Sequence, residues 1–345
     1  MSQAFGFSPK CVLVTGGAGF IGSNFVRYVL ANHPGVRVVN FDALTYAGNL
    51  ENLAELADDA RYAFVNADIC DPQACINACK EQGADCIVHF AAESHVDRSI
   101  TGPAAFVETN VGGTLNLLQA ARECGNLWFL QVGTDEVYGS LGATGYFTEE
   151  TPLDPHSPYS ASKAAADHLV AAFGHTYGLP VIITRCSNNY GPYQFPEKMV
   201  PLMINNARQG KPLPVYGDGS NVRDWLFVED HCRAIWMALT KGAVGRVYNI
   251  GGNSERTNLE VVKAILRHMN KPESLISFVK DRPGHDFRYA IDAARIKNEL
   301  GWTPTVDFET GLGRTIKWYL GHQEWLDHIT SGAYKQYYEE MYAGR

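Results

Sequence analysis

Apolar residues in the first half of the chain follow two rhythms that take turns. Continuous short runs at Cys11–Val14, Val36–Phe41, Tyr62–Val65, Cys86–Ala92, Leu127–Val132 and Leu179–Arg185 suit strands buried on both faces. Between them, apolar positions recur at helical spacing, as in Ser23–Leu30, Leu50–Leu56, Pro103–Glu123 and the stretch that Pro158 opens. Asp71 and Pro72 mark a further helix start, with the acid as cap and the proline in the first turn. Repeated strand and helix predict an α/β fold around a doubly wound parallel sheet. Beyond Arg185 the alternation fades and Pro, Gly and aromatic residues thicken, which predicts a smaller second unit. The tail from Trp318 to Tyr342 is rich in Trp and Tyr and reads as core packing.

The first strand-to-helix junction carries Gly16, Gly19 and Gly22, three apart. Glycines at that spacing allow a sharp turn, close approach of backbone to a ligand, and tight packing of helix on strand. The helix that follows offers free N–H groups and a positive dipole end to a pyrophosphate. Asp42 ends the second strand, twenty residues beyond Gly22, where an acid accepts from an adenosine ribose 2′-hydroxyl and repels a 2′-phosphate. The order of these features predicts a Rossmann-type sheet that binds NAD in preference to NADP. Residues 1–190 are expected to form that domain, with a return strand in 225–252, and 191–345 mainly a substrate-binding domain.

Composition narrows the partners. Against 29 basic residues stand 37 acidic ones, a net charge of −8, which argues against nucleic acid or an anionic membrane surface as partner. No run reaches the ~18 apolar residues of a membrane span, and the first ten residues lack a charged segment followed by an apolar one. A soluble cytoplasmic protein is the expectation. The eight cysteines form no C-x-x-C pair and no zinc spacing, so free thiols and no metal are expected; Cys75 and Cys79 sit four apart on a helix face as core filling.

Chemistry gathers at the strand ends, where an open parallel sheet binds its ligands. Asp68-Ile69 and the small residues Ala91-Ala92 close two strands, and the next ends in Thr134-Asp135-Glu136. Tyr159 and Lys163 lie four apart on a helix, so an ammonium stands beside a phenol whose ordinary pKa is near 10 and favours its anion as a general base. His89 and His95 read equally as hydrogen-bonded structural histidines. Lys198, Arg223, Arg282 and His285 are candidate phosphate ligands, because a nucleoside diphosphate needs paired cationic donors; each also reads as a surface charge.

Gly16-x-x-Gly19-x-x-Gly22 with Tyr159-x-x-x-Lys163 resembles the two signatures of the extended short-chain dehydrogenase/reductases. Within them, Thr134-Asp135-Glu136 is similar to the triplet of the nucleotide-hexose 4,6-dehydratases. Leu44–Asn49, Ala91–Arg98, Cys186–Pro192, Arg223-Asp-Trp225 and Asp281–His285 agree with that branch, and Phe227 departs from it where relatives often carry Tyr. The resemblance implies NAD as cofactor and dTDP-glucose as substrate, converted to a 4-keto-6-deoxy sugar with loss of water. It implies Tyr159, Lys163 and Thr134 for oxidation at C4, Glu136 as base at C5 and Asp135 as acid at the C6 hydroxyl. Cofactor contacts implied are Gly16, Gly19, Phe20, Ile21, Gly22, Asp42, Leu44, Thr45, Asp68, Ile69, Ala91, Ala92, Ser94, Thr109, Tyr159, Lys163 and Asn189. Substrate contacts implied are Ser94, Thr134, Asn188, Lys198, Met199, Pro214, Tyr216, Arg223, Asn258, Arg282 and His285. A homodimer paired through Pro103–Glu123 and Pro158–Tyr177 is also implied. The alternatives are a sugar-nucleotide 4-epimerase, which needs no acid/base carboxyl pair, and a non-catalytic NAD-sensing module.

Overall fold

Twelve strands run through residues 6–281 and 284–330, the part of the chain that the computed structural model describes. They are β1 (Cys11–Thr15), β2 (Arg37–Asp42), β3 (Tyr62–Asn66), β4 (Cys86–His89), β5 (Trp128–Thr134), β6 (Val181–Cys186), β7 (Asn188–Tyr190), β8 (Leu213–Tyr216), β9 (Val222–Phe227), β10 (Val247–Ile250), β11 (Glu255–Thr257) and β12 (Ile276–Val279). Seven form one parallel sheet in the order β10-β6-β5-β4-β1-β2-β3. The chain builds outward from β1 to β3, then crosses back to β4 on the other side of β1. That reversal opens a crevice over the carboxyl ends of β1 and β4. The edge strand β10 arrives from far along the sequence.

Successive side chains on a strand point to opposite faces, so a continuous apolar run feeds two cores at once. On one face Val12, Val14 and Val88 pack with Phe25, Val29, Ile235 and Leu239 of the helices Phe20–Asn32 and Val228–Lys241. On the other, Leu13, Phe41, Ile87 and Phe129 meet Cys75, Cys79, Leu117, Leu118 and Val170, from helices Pro72–Gln82, Thr114–Glu123 and Pro158–Tyr177. The two small sheets, β11-β9-β7 and β12-β8, pack with helices Met199–Gln209, Asn258–His268 and Phe308–Gly321 around a third core. Trp318 and Trp325 lie edge to face there, 4.9 Å between ring centroids, and residues 331–342 of the aromatic tail lie outside the described residues.

Helix starts follow local chemistry. Asp71 accepts from the N–H groups of Gln73 (2.9 Å) and Ala74 (3.1 Å), a cap that stabilises by about 1 kcal/mol. Ser157 and Ser160 cap each other reciprocally, which fixes where the helix carrying Tyr159 and Lys163 begins.

The expected single helix over Pro103–Glu123 is instead three pieces: an α-turn at Pro103–Phe106, a π-helical stretch at Val107–Gly113, and an α-helix at Thr114–Glu123. The wider turn has an identifiable cause. Asn110 turns its amide off the helix to accept from Glu93 N–H (2.8 Å) and to donate to Glu93 O (3.0 Å) and Ser162 Oγ (2.8 Å). Thr114 donates back to the Asn110 carbonyl at 2.6 Å. Gly113 packs tightly on Ile69: a Cβ there would stand 2.4 Å from Ile69 Cδ1 and force that side chain to shift.

Candidate active site

Above the ends of β1, β4, β5 and β6 lies a cleft of about 330 Å³, and its two ends are built differently. At one end the main chain does the work. A Cβ on Gly22 would stand 2.2 Å from the Gly16 carbonyl oxygen, and one on Gly16, whose φ is +69°, would stand 2.7 Å from Ala91 N, so both positions demand glycine. Helix Phe20–Asn32 starts at Gly19 with no side-chain cap and no acid in its first turn, leaving N–H groups free for an anion. Asp42 Oδ2 accepts from Ala18 N–H at 2.9 Å and Oδ1 from Leu44 N–H at 2.8 Å. Those bonds aim the carboxylate while each oxygen keeps a lone pair for a hydroxyl donor. Burial raises the Asp42 pKa and the two N–H bonds oppose it. The glycine cradle, the open helix end and the aimed acid fit a dinucleotide.

At the other end, buried side chains converge. Thr134 is the last residue of β5, and Asp135 and Glu136 open the 3₁₀ turn Asp135–Tyr138. Glu136 N–H is capped by Thr134 Oγ at 3.3 Å, and the Thr134 hydroxyl points to Asp135 Oδ1 at 3.5 Å. Asp135 is 2 % exposed; burial first, then Glu136 and Asp224, push its pKa well above the usual carboxylate value. Lys163 donates to Val132 O at 2.9 Å; burial lowers its pKa and Asp167, one turn on, raises it. The spacing of Tyr159 and Lys163 suggests an easily ionised phenol. Burial outweighs that here, with Glu136 adding to it, and holds the Tyr159 pKa well above its ordinary value.

Of the expected cofactor residues, all but Leu44 line this cleft, and Leu44 lies behind it, its N–H committed to Asp42. Ser94, Thr134, Asn188 and Lys198 also line it, with Lys198 Nζ donating to Ser94 O at 2.7 Å. Met199 follows Lys198 into its helix, and the other substrate candidates among the described residues sit off the cleft. Pro214 and Tyr216 are on β8, with the Tyr216 hydroxyl on Asp97 Oδ2 at 3.1 Å. His285 bonds Asp281 at 2.7 Å and stands edge-on to the Tyr216 ring, and Asn258 begins its helix. Arg223 spends donors on the carbonyls of Val222 (2.8 Å) and Asp286 (2.9 Å) and lies over the Tyr289 ring. Arg282 lies outside the described residues. His89 bridges the hydroxyls of Thr15 (2.7 Å) and Thr114 (3.1 Å), and burial lowers its pKa to about 3, so it is a neutral structural group.

Sequence reasoning passed over Glu93, Gln194 and Glu197, which line the cleft, and Asn110, which pins Glu93. It also passed over the buried chain Asp167–Arg185–Tyr138 behind Lys163, with contacts of 2.8 and 2.9 Å. The Lys163/Asp167 spacing was the one local hint.

The pattern of the GDP-mannose 4,6 dehydratase family matches residues 13–315. A dTDP-glucose 4,6-dehydratase of Xanthomonas campestris pv. campestris (strain B100) is 58% identical over 344 residues, 94% of this chain and 97% of that one. A dTDP-glucose 4,6-dehydratase of Bacillus anthracis, solved in complex with NAD, shares 53% identity and a TM-score of 0.87, covering 92% of this chain and 99% of that one. A UDP-glucose 4-epimerase of Thermus thermophilus, solved with NAD, is more distant at 33% identity and a TM-score of 0.84, over 90% and 99%.

Proposed function

The chain belongs to the GDP-mannose 4,6 dehydratase family, and from that premise we propose that it converts dTDP-glucose to dTDP-4-keto-6-deoxyglucose and water. It is an NAD-dependent hydro-lyase. NAD⁺, when bound, supplies a positive charge beside the phenol, takes hydride from C4 and returns it at C6. The chain's own groups move the protons. Tyr159, oriented by Thr134 and backed by Lys163, takes the C4 hydroxyl proton. The resulting ketone acidifies C5–H, and Glu136 takes that proton. Asp135 gives its proton to the C6 hydroxyl, which leaves as water, and Glu136 returns a proton to C5.

One observation carries the reading: a buried carboxyl, its pKa pushed up by that burial, stands next to a second carboxyl in the turn facing Tyr159. A 4-epimerase has no use for that pair, since its reaction only removes and restores a hydride at C4. The glycine cradle, open helix end and Asp42 are the groups that would hold NAD.

The reading extends to a homodimer paired through the helical segments Pro103–Glu123 and Pro158–Tyr177, where Val107 is 58% and Tyr177 47% exposed. It extends also to the cytoplasm, since all eight cysteines are free thiols, as in a reducing compartment. The test is isotopic. Substrate deuterated at C4 yields product deuterated at C6, read by mass spectrometry; deuterium found instead in free reduced cofactor means a net dehydrogenase and ends the dehydratase reading.

A further inference from the structure

Helix Val228–Lys241 brings His231, with no exposed surface, against Asn189 of β7. Asn189 lines the cleft and His231 does not. Hydrogen-bond accounting fixes the orientation of both. One atom of the Asn189 amide lies 3.0 Å from the Ser187 carbonyl oxygen, which can only accept, so that atom is the NH₂ group. Its carbonyl oxygen therefore faces His231 Nδ1 at 2.9 Å. An oxygen acceptor requires a hydrogen on Nδ1. Burial lowers the His231 pKa to about 3, so the ring is neutral and its single hydrogen is the one on Nδ1. Nε2 is left as a bare acceptor, with no partner among the described residues. The Asn189 NH₂ keeps a second hydrogen, beside the sulfur of Cys186, a weak acceptor that also lines the cleft.

We propose that His231 is a positioning residue that locks the Asn189 amide with its N–H edge toward the cleft, to donate to the carboxamide carbonyl of the nicotinamide. Without the Nδ1 donor only the Ser187 carbonyl still favours this flip over the other, in which a carbonyl oxygen would meet a carbonyl oxygen. The proposal rests on the reading above that NAD occupies the cleft.

The test uses the full chain stripped of cofactor, with calorimetric titration of NAD⁺ and, separately, of ADP-ribose, which lacks the nicotinamide. In His231→Leu the donor is gone. His231→Gln carries its amide where Nε2 stood, and His231→Asn carries one where Nδ1 stood. The expected result is NAD⁺ binding weakened about 2- to 10-fold in the Leu and Gln variants, the worth of one neutral hydrogen bond, and largely restored in the Asn variant. ADP-ribose binding should be unchanged in all three. The melting temperature is read alongside, and a mere packing role would lower NAD⁺ and ADP-ribose affinity together, in step with it. That outcome overturns the lock, as does unchanged NAD⁺ affinity in both the Leu and Gln variants. Failure of the unaltered protein to bind either ligand is a different result: it removes the cofactor assignment, and the lock with it.

Discussion

The two ends of the cleft solve the same problem, holding polar groups out of water, in opposite ways. At the dinucleotide end the recognising groups are main-chain N–H donors and one carboxylate already fed by two of them. The main-chain donors carry no titrating proton, and Asp42, its pKa raised by burial, is the one titratable group among them. At the proposed catalytic end the groups are buried side chains whose charge is set by their surroundings: a carboxyl and a phenol whose pKa values burial raises, and an ammonium whose pKa burial lowers. The first end is stable by construction. The second stores an electrostatic cost that the chemistry uses.

Substitutions that touch one end and not the other bring out this contrast. The largest effect belongs to Glu136→Gln, whose amide cannot accept the C5 proton. Water loss should fall ~10²- to 10⁴-fold while C4 oxidation continues, so reduced-cofactor absorbance builds up in stopped flow. Near-normal dehydration in this variant contradicts the role given to Glu136.

At the opposite end, Gly22→Ala places a methyl 2.2 Å from a backbone oxygen that cannot swing aside. Overpacking of that kind costs about 1–3 kcal/mol, so NAD⁺ affinity should drop by roughly 5- to 150-fold. With NAD⁺ saturating, turnover should stay within about 2-fold, because the catalytic residues are untouched. A comparable loss of turnover at saturation would mean that the two ends are not separable.

The smallest effect is on stability. Burial raises the Asp135 pKa in the fold, whereas in the unfolded chain it ionises near pH 4. Between that value and its raised native one, the unfolded state binds fewer protons, so rising pH favours unfolding. Asp135→Asn removes the penalty. Its melting temperature should exceed that of the unaltered protein at pH 8, and the gain should vanish at pH 3. A gain of equal size at both pH values would show that packing, not protonation, is at work.

The same contrast explains what the sequence made legible. Gly16, Gly19, Gly22 and Asp42 act through local backbone geometry, and local geometry follows from spacing. Tyr159 and Lys163 were legible as a pair because four residues of helix separate them, and Thr134 to Glu136 because a strand ends there. Their protonation was not legible, since it depends on burial by segments far off in the chain; the phenol of Tyr159 stands opposite to what its spacing to Lys163 suggests. Asn110 shows the limit most clearly. It reads as one more polar helix position, yet its partners Glu93 and Ser162 lie 17 and 52 residues away and meet it within the π-helical stretch. Asp167 and Arg185 escaped notice for the same reason, being joined only once the sheet has formed.

The late arrival of β10 has a consequence for synthesis on the ribosome. Once β6 has left the ribosome and paired with β5, its other edge, Val181–Cys186, has no native neighbour until Val247–Ile250 follows about sixty residues later. At roughly 5–20 residues per second that interval lasts ~3–12 s. Throughout it the nascent chain exposes an apolar strand edge able to pair with another chain. Translation speed between β6 and β10 thus sets how long the growing protein is open to aggregation.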